Sequence, residues 1–169
     1  KNGLVGAVSV PVRIAIAGAG GRMGQTLIEA VLGAPDLALV AALDLASSGL
    51  IGRDAGERFG RKTAVTISCD RAVAIGSADV LIDFTRPEGT MAQVAACAGS
   101  GVAAVVGTTG LSESDRLALV EFARTIPIVF APNMSVGVTV LTKLVEIAAQ
   151  RLGADYDVEI VEMHHRHKI

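Results

Sequence analysis

Short apolar runs recur along the chain, and stretches with helical spacing follow most of them. Residues 12–17 (VRIAIA), 37–43 (LALVAAL), 80–84 (VLIDF), 102–106 (VAAVV) and 126–130 (IPIVF) read as strands. The second of these is apolar almost throughout, which suits a parallel strand covered on both faces. A shorter strand is expected at 64–67 and a last one at 157–163 (DVEIVEM). Between them, residues 25–32 place Leu27, Ala30 and Val31 at helical spacing, and Gly33 with Pro35 ends that helix. One or two helical turns are expected at 70–75, and further helices at 88–98, 112–124 and 136–151. Ser112 is placed to cap the amides near Asp115. Residues 47–62 are rich in Gly, Ser and charge and predict an exposed loop. Strands separated by single helices imply right-handed crossovers and a parallel sheet. The expected fold is therefore α/β: a doubly wound, Rossmann-type, mostly parallel sheet with helices on both faces.

Composition narrows this picture. At 169 residues and 17.2 kDa the chain is long enough for one domain with a further fragment. A domain of this size buries roughly 70% of its unfolded surface, so it needs no disulfide or metal to hold it. Apolar residues make up 51% and the mean hydropathy is +0.53; with no Trp, one Tyr and four Phe, the core must come from Ala, Val, Ile and Leu. A net charge of −2 leaves no basic footprint for nucleic acid. Cys69 and Cys97 stand alone without CxxC spacing, as two buried thiols of a reducing compartment would. Residues 89–112 carry no charge, a length that raises a membrane span. Glycines at 99, 101, 107 and 110 divide that stretch into helix, strand and turn. The apolar opening resembles a signal peptide only superficially, because Pro11 and Arg13 interrupt it, and none is expected. A soluble, cytoplasmic protein with no membrane partner is expected.

The first strand runs into GAGGRMG, residues 18–24, whose glycines at 18, 21 and 24 form GxxGxxG with Gly20 in addition. A strand before and a helix after give this pattern its meaning. A Cβ there would block the tight turn and hold a pyrophosphate away from amides at a helix N-terminus. Asp44 lies 20 residues beyond Gly24, at the end of the second strand. Such folds place there the carboxylate that bonds the adenosine ribose hydroxyls. Asp44 repels a 2′-phosphate and Leu45 neutralises none, so NADH is expected to serve at least as well as NADPH. Arg22, inside the turn, is then the only evident partner for a 2′-phosphate. In open sheets ligands gather at the carboxyl ends of strands. FTRPE at 84–88, GTTG at 107–110 and APNMSVG at 131–137 all fall at such ends.

The chain closes on EMHHRHKI, which holds all three histidines, His164, His165 and His167, beside Lys168. Imidazole titrates near neutrality and suits proton transfer, and a cationic cluster grips carboxylates. His164 and Lys168 are four apart, so one helical turn or a tight loop brings them together. The HHxH spacing matches no common zinc pattern, and no metal is expected. Tyr156 has Ile160 four residues on, so the Tyr/Lys acid pair of short-chain dehydrogenases is missing.

GAGGRMG, DFTRPEG, GTTG, APNMSVGV and EMHHRHK, in this order, resemble the dihydrodipicolinate (4-hydroxy-tetrahydrodipicolinate) reductase family over residues 12–168. HHRHK together with DFTRPEG carries most of the specificity. The resemblance implies NAD(P)H-dependent reduction of a cyclic imine dicarboxylate in lysine/diaminopimelate biosynthesis. It implies nucleotide contacts from Gly18, Ala19, Gly20, Gly21, Arg22, Met23, Asp44, Gly107, Thr108, Thr109, Ala131, Pro132, Asn133 and Met134. It implies proton transfer by His164 and Lys168, and a substrate contact from His165. The family usually has a basic residue after the acidic one of the second strand; this chain has Leu45. Residues 1–156 are expected to form the nucleotide domain and 157–169 the start of a substrate segment. Beyond residue 169 the family pattern continues into a substrate loop and a mixed sheet that mediates tetramerisation. By that resemblance the full-length protein is a homotetramer, and this stretch alone binds NADH with little turnover. A non-catalytic NAD(P)-binding sensor is the alternative from another class.

Overall fold

The Ile and Ala residues of the first strand alternate, and the fold uses both sides of that alternation. Strand β1 (Val12–Ala17) turns Ile14 and Ile16 to one face, where they join Ile28 and Val31 of helix α1 (Arg22–Gly33). Ala15 and Ala17 point the other way, into a second cluster with Ile75, Leu81, Val94 and Leu119. A strand covered on both faces belongs inside a parallel sheet. Ile16 and Ile28 are fully buried, each contributing roughly 2 kcal/mol of hydrophobic stabilisation. The computed structural model describes residues 10–161 and 163.

The chain divides into two compact units, Lys1–Pro132 and Asn133–Ile169. In the first, β1 and α1 are followed by β2 (Leu37–Leu43), a short 3-10 turn (Glu57–Phe59), β3 (Ile67–Ser68) and α2 (Arg71–Gly76). Then come β4 (Val80–Asp83), α3 (Pro87–Ser100), β5 (Ala103–Val106), α4 (Glu113–Phe122) and β6 (Ile128–Phe130). The six strands pair in the order β3-β2-β1-β4-β5-β6, all parallel. Chain order reverses between β1 and β4, the switch point where such sheets open a crevice at their carboxyl ends. The doubly wound expectation holds.

Local details differ from the reading of the sequence. In α1 the buried stripe is Gly24, Ile28 and Val31, and Ala30 is exposed, because packing begins at Gly24. The loop at 47–62 is not simply exposed: Ala55 is buried, and the Asp54 carboxylate organises the chain around it. It accepts from the amides of Gly56, Thr63 and Ala64 and from the Thr63 hydroxyl, at 2.7–3.1 Å. Those bonds, the Thr63 hydroxyl foremost, lower its pKa from 3.8 to about 2. Ala64 takes a left-handed φ of 60° inside this arc, so the strand expected at 64–67 shrinks to Ile67–Ser68.

In the second unit, helix α5 (Val136–Leu152) is capped by Ser135, whose Oγ accepts from the Val138 amide at 3.3 Å. No residue of α5 is buried; Leu141, Leu144 and Ile147 are all more than half exposed. A 3-10 turn (Gly153–Asp155) follows. The strand expected at 157–163 does not form at residues 157–161 or 163. A strand exists through its ladder of hydrogen bonds, and among the described residues none is made there.

Candidate functional site

Between β1 and α1 the chain turns through residues 18–21, and each amide after Gly18 has a fixed partner. Ala19 N–H donates to the Leu43 carbonyl at 2.8 Å, Gly20 N–H to Asp44 Oδ2 at 3.0 Å, and Gly21 N–H to the Gly18 carbonyl at 2.9 Å. The turn is thus tied to the end of β2. Asp44 Oδ2 also accepts from Ser48 Oγ at 3.0 Å, and Oδ1 from its neighbour Leu45 N–H at 2.8 Å. Gly18 has a φ of 72°, a conformation that favours glycine. A Cβ on Gly20 would lie 2.5 Å from Asp44 Oδ2, so glycine here is what admits the carboxylate. A Cβ on Gly24 would overlap the Gly18 carbonyl, so glycine there lets the helix close on the turn.

Gly21, the residue before helix α1, gives it no side-chain cap, and the helix has no acidic residue in its first turn. Its positive dipole end is therefore uncompensated by any carboxylate of its own. A backbone turn clear of Cβ atoms, an uncapped helix start and a carboxylate at the next strand end fit a dinucleotide: pyrophosphate at the helix, ribose at the acid.

These groups open on a cleft of about 690 Å³ at the carboxyl ends of β1 to β4. Gly18, Gly21, Arg22, Met23 and Asp44 all line it. Ala19 is fully buried beneath the turn. Gly107, Thr108 and Thr109 follow β5 and do not line the cleft. The Thr108 hydroxyl is buried and bonded to Thr90 of α3 at 2.7 Å, whereas Thr109 is exposed. Gly107 reaches the cleft indirectly: the Phe84 ring, which lines it, occupies the space a Cβ at 107 would need. Asp83 Oδ1 accepts from the Thr85 amide at 2.7 Å and shapes that loop. Ala131 follows β6, its amide bonded to the Val106 carbonyl at 3.0 Å, and Pro132 is exposed. Asn133 and Met134 belong to the second unit, where Asn133 Oδ1 accepts from the Ser135 amide at 3.0 Å. His164, His165 and Lys168 lie outside the described residues.

The cleft also holds residues that no motif marks. Arg71 and Gln93 line it, joined through Arg71 Nε and Gln93 Oε1 at 3.1 Å. Cys69 lines it too and is exposed, a correction to the expectation of two buried thiols. It follows the two-residue strand β3, which ends before it can enclose the side chain. Cys97 is buried as expected, and burial, with the Asp83 carboxylate adding to it, pushes its thiol up to about 12. Among the described residues no helix is long and apolar enough to cross a membrane.

The strand order, the glycine-rich first turn and the acid closing β2 define a Rossmann-type domain. Comparison with known proteins narrows the class. The family model for the N-terminus of dihydrodipicolinate reductase matches residues 12–134, and that for its C-terminus matches 137–169. The chain belongs to the dihydrodipicolinate reductase family. It is 54% identical over 156 residues to 4-hydroxy-tetrahydrodipicolinate reductase of Cupriavidus necator, covering 92% of this chain and 59% of that protein. The same enzyme of Thiobacillus denitrificans is 51% identical over 158 residues, 94% of this chain and 59% of the relative. Among solved structures, a dipicolinate-bound dihydrodipicolinate reductase from Paenisporosarcina sp. TG-14 matches with a TM-score of 0.67 and 25% identity. That match covers 82% of this chain and 54% of the other. The chain thus spans about three fifths of the length of these curated relatives.

Proposed function

We propose that this chain carries the nucleotide half of a 4-hydroxy-tetrahydrodipicolinate reductase. The reaction is the NAD(P)H-dependent reduction of that substrate, via dihydrodipicolinate, to tetrahydrodipicolinate in lysine/diaminopimelate biosynthesis. The observation that carries the reading is the uncapped start of α1 facing the cleft that Asp44 closes, in a chain of this family. In the reading, the turn at residues 18–23 holds the pyrophosphate and Asp44 the adenosine ribose. Residues 107–109 and 131–134 add the further nucleotide contacts that the family resemblance implies, and residues 1–156 form the nucleotide domain.

Reduced nicotinamide, when bound, supplies a hydride to the conjugated imine. What this chain adds is charge and a proton. His164 and Lys168 serve the proton transfer that quenches the electron density left on the substrate, and His165 contacts the substrate. Imidazole suits this because its pKa lies close to the working pH. The reading extends to a homotetramer in the cytoplasm, supported by family membership, and sedimentation of the full-length enzyme checks the oligomer.

Titration with NADH and NADPH tests the core of the proposal: at least one binds, and binding of neither overturns it. In the full-length enzyme Lys168→Ala chiefly lowers kcat, and an unchanged kcat removes Lys168 from the proton path.

A further inference from the structure

Arg71 lines the cleft, and the nucleotide reading has not used it. The Asp44 amide donates to the Ser68 carbonyl at 3.0 Å, so the ends of β2 and β3 lie side by side. Only Cys69 and Asp70 then separate Ser68 from Arg71. The side chain is exposed, but its Nε is anchored on Gln93 Oε1 at 3.1 Å, and Gln93 is only 8% exposed. The buried amide holds the root of the guanidinium and leaves its outer edge uncommitted. Among the described residues neither Nη group has a partner, and no carboxylate is within ion-pair distance of it. The adjacent acid, Asp70, is occupied at the start of α2, where it accepts from the Val73 amide at 3.2 Å. An anchored guanidinium with a free two-nitrogen edge is shaped for a phosphate.

We propose that Arg71, held by Gln93, takes a 2′-phosphate on the adenosine ribose that Asp44 faces, so that the cleft admits NADPH as well as NADH. The inference rests on the nucleotide reading above. It revises the expectation that Arg22 is the only 2′-phosphate partner: Arg22 opens α1 at the pyrophosphate position, whereas Arg71 stands beside the end of β2. Residue 45, directly after the acid, is an exposed leucine and offers no charge of its own.

The test is the ratio of NADPH to NADH affinity, measured by titration of the protein and of Arg71→Ala. The substitution is expected to weaken NADPH roughly ten- to hundredfold and to move NADH by less than about threefold. Arg71→Lys keeps the charge but loses the Gln93 anchor, and recovers part of the loss. Adenosine 2′,5′-bisphosphate and 5′-AMP repeat the comparison without nicotinamide, and thermal melts of both variants confirm folding. An unchanged ratio in Arg71→Ala overturns the inference, whether both affinities fall together or neither falls. Failure of the unsubstituted protein to bind either dinucleotide is a distinct result and overturns the cofactor reading beneath it.

Discussion

Helices α1 and α4 both follow a parallel strand at the carboxyl edge of one sheet, yet their first turns are finished differently. At α4, Ser112 Oγ accepts from the Asp115 amide at 3.1 Å, and Asp115 Oδ2 accepts from the Ser112 amide at 2.9 Å. Glu113 adds a second acid to the same turn. That is a reciprocal capping box, with the dipole met by the helix's own carboxylates. At α1 there is only glycine before the helix and no acid within its first turn. One start serves the fold and is closed by its own side chains. The other is left for a ligand to complete.

The largest expected effect comes from filling the space that α1 keeps clear. Gly24→Ala drives a methyl into the Gly18 carbonyl. It is expected to cost about 3 kcal/mol and to abolish dinucleotide binding, as read by urea unfolding and titration. Next, Gly21→Asp gives α1 the cap it lacks. NADH affinity falls at least about tenfold while stability stays within about 1 kcal/mol; unchanged affinity would place the pyrophosphate elsewhere. Ser112→Ala is the mirror experiment, losing about 1 kcal/mol in denaturant unfolding with NADH affinity intact.

The smallest effect is in acid. Ser112, through its hydroxyl and its amide, holds the Asp115 carboxyl below its usual range. A carboxyl with a depressed folded pKa binds fewer protons folded than unfolded near that range, so it stabilises above its unfolded value of about 4. That contribution fades as pH falls through the folded value. Asp54, at about 2, carries the same sign and extends the loss to lower pH. In Ser112→Ala the Asp115 part of this acid limb flattens, whereas Gly24→Ala leaves its shape alone, as pH-dependent melts will read.

What could be read from the sequence follows from how local each feature is. The alternation of Ile and Ala along β1, the glycines before α1 and the Ser112–Asp115 pair act within a few residues, so spacing alone reveals them. Asp44 is legible because it closes an apolar run. The Arg71–Gln93 bond is not, because it joins residues 22 apart through the packing of α2 on α3. The exposure of Cys69 depends on β3 stopping after two residues, and the role of Asp54 on a chain reversal ten residues long. Residues 157–160 alternate polar and apolar as a strand does, but alternation alone makes no ladder.

The two thiols carry a practical consequence. Cys69 stands open on the wall of the cleft, while Cys97 is sealed between helix and sheet with its proton tightly held. An alkylating dye should therefore mark only position 69 in the native protein and reach position 97 only after global opening. A single covalent reporter would then register a guest arriving in the groove, and the second site would count the unfolded molecules.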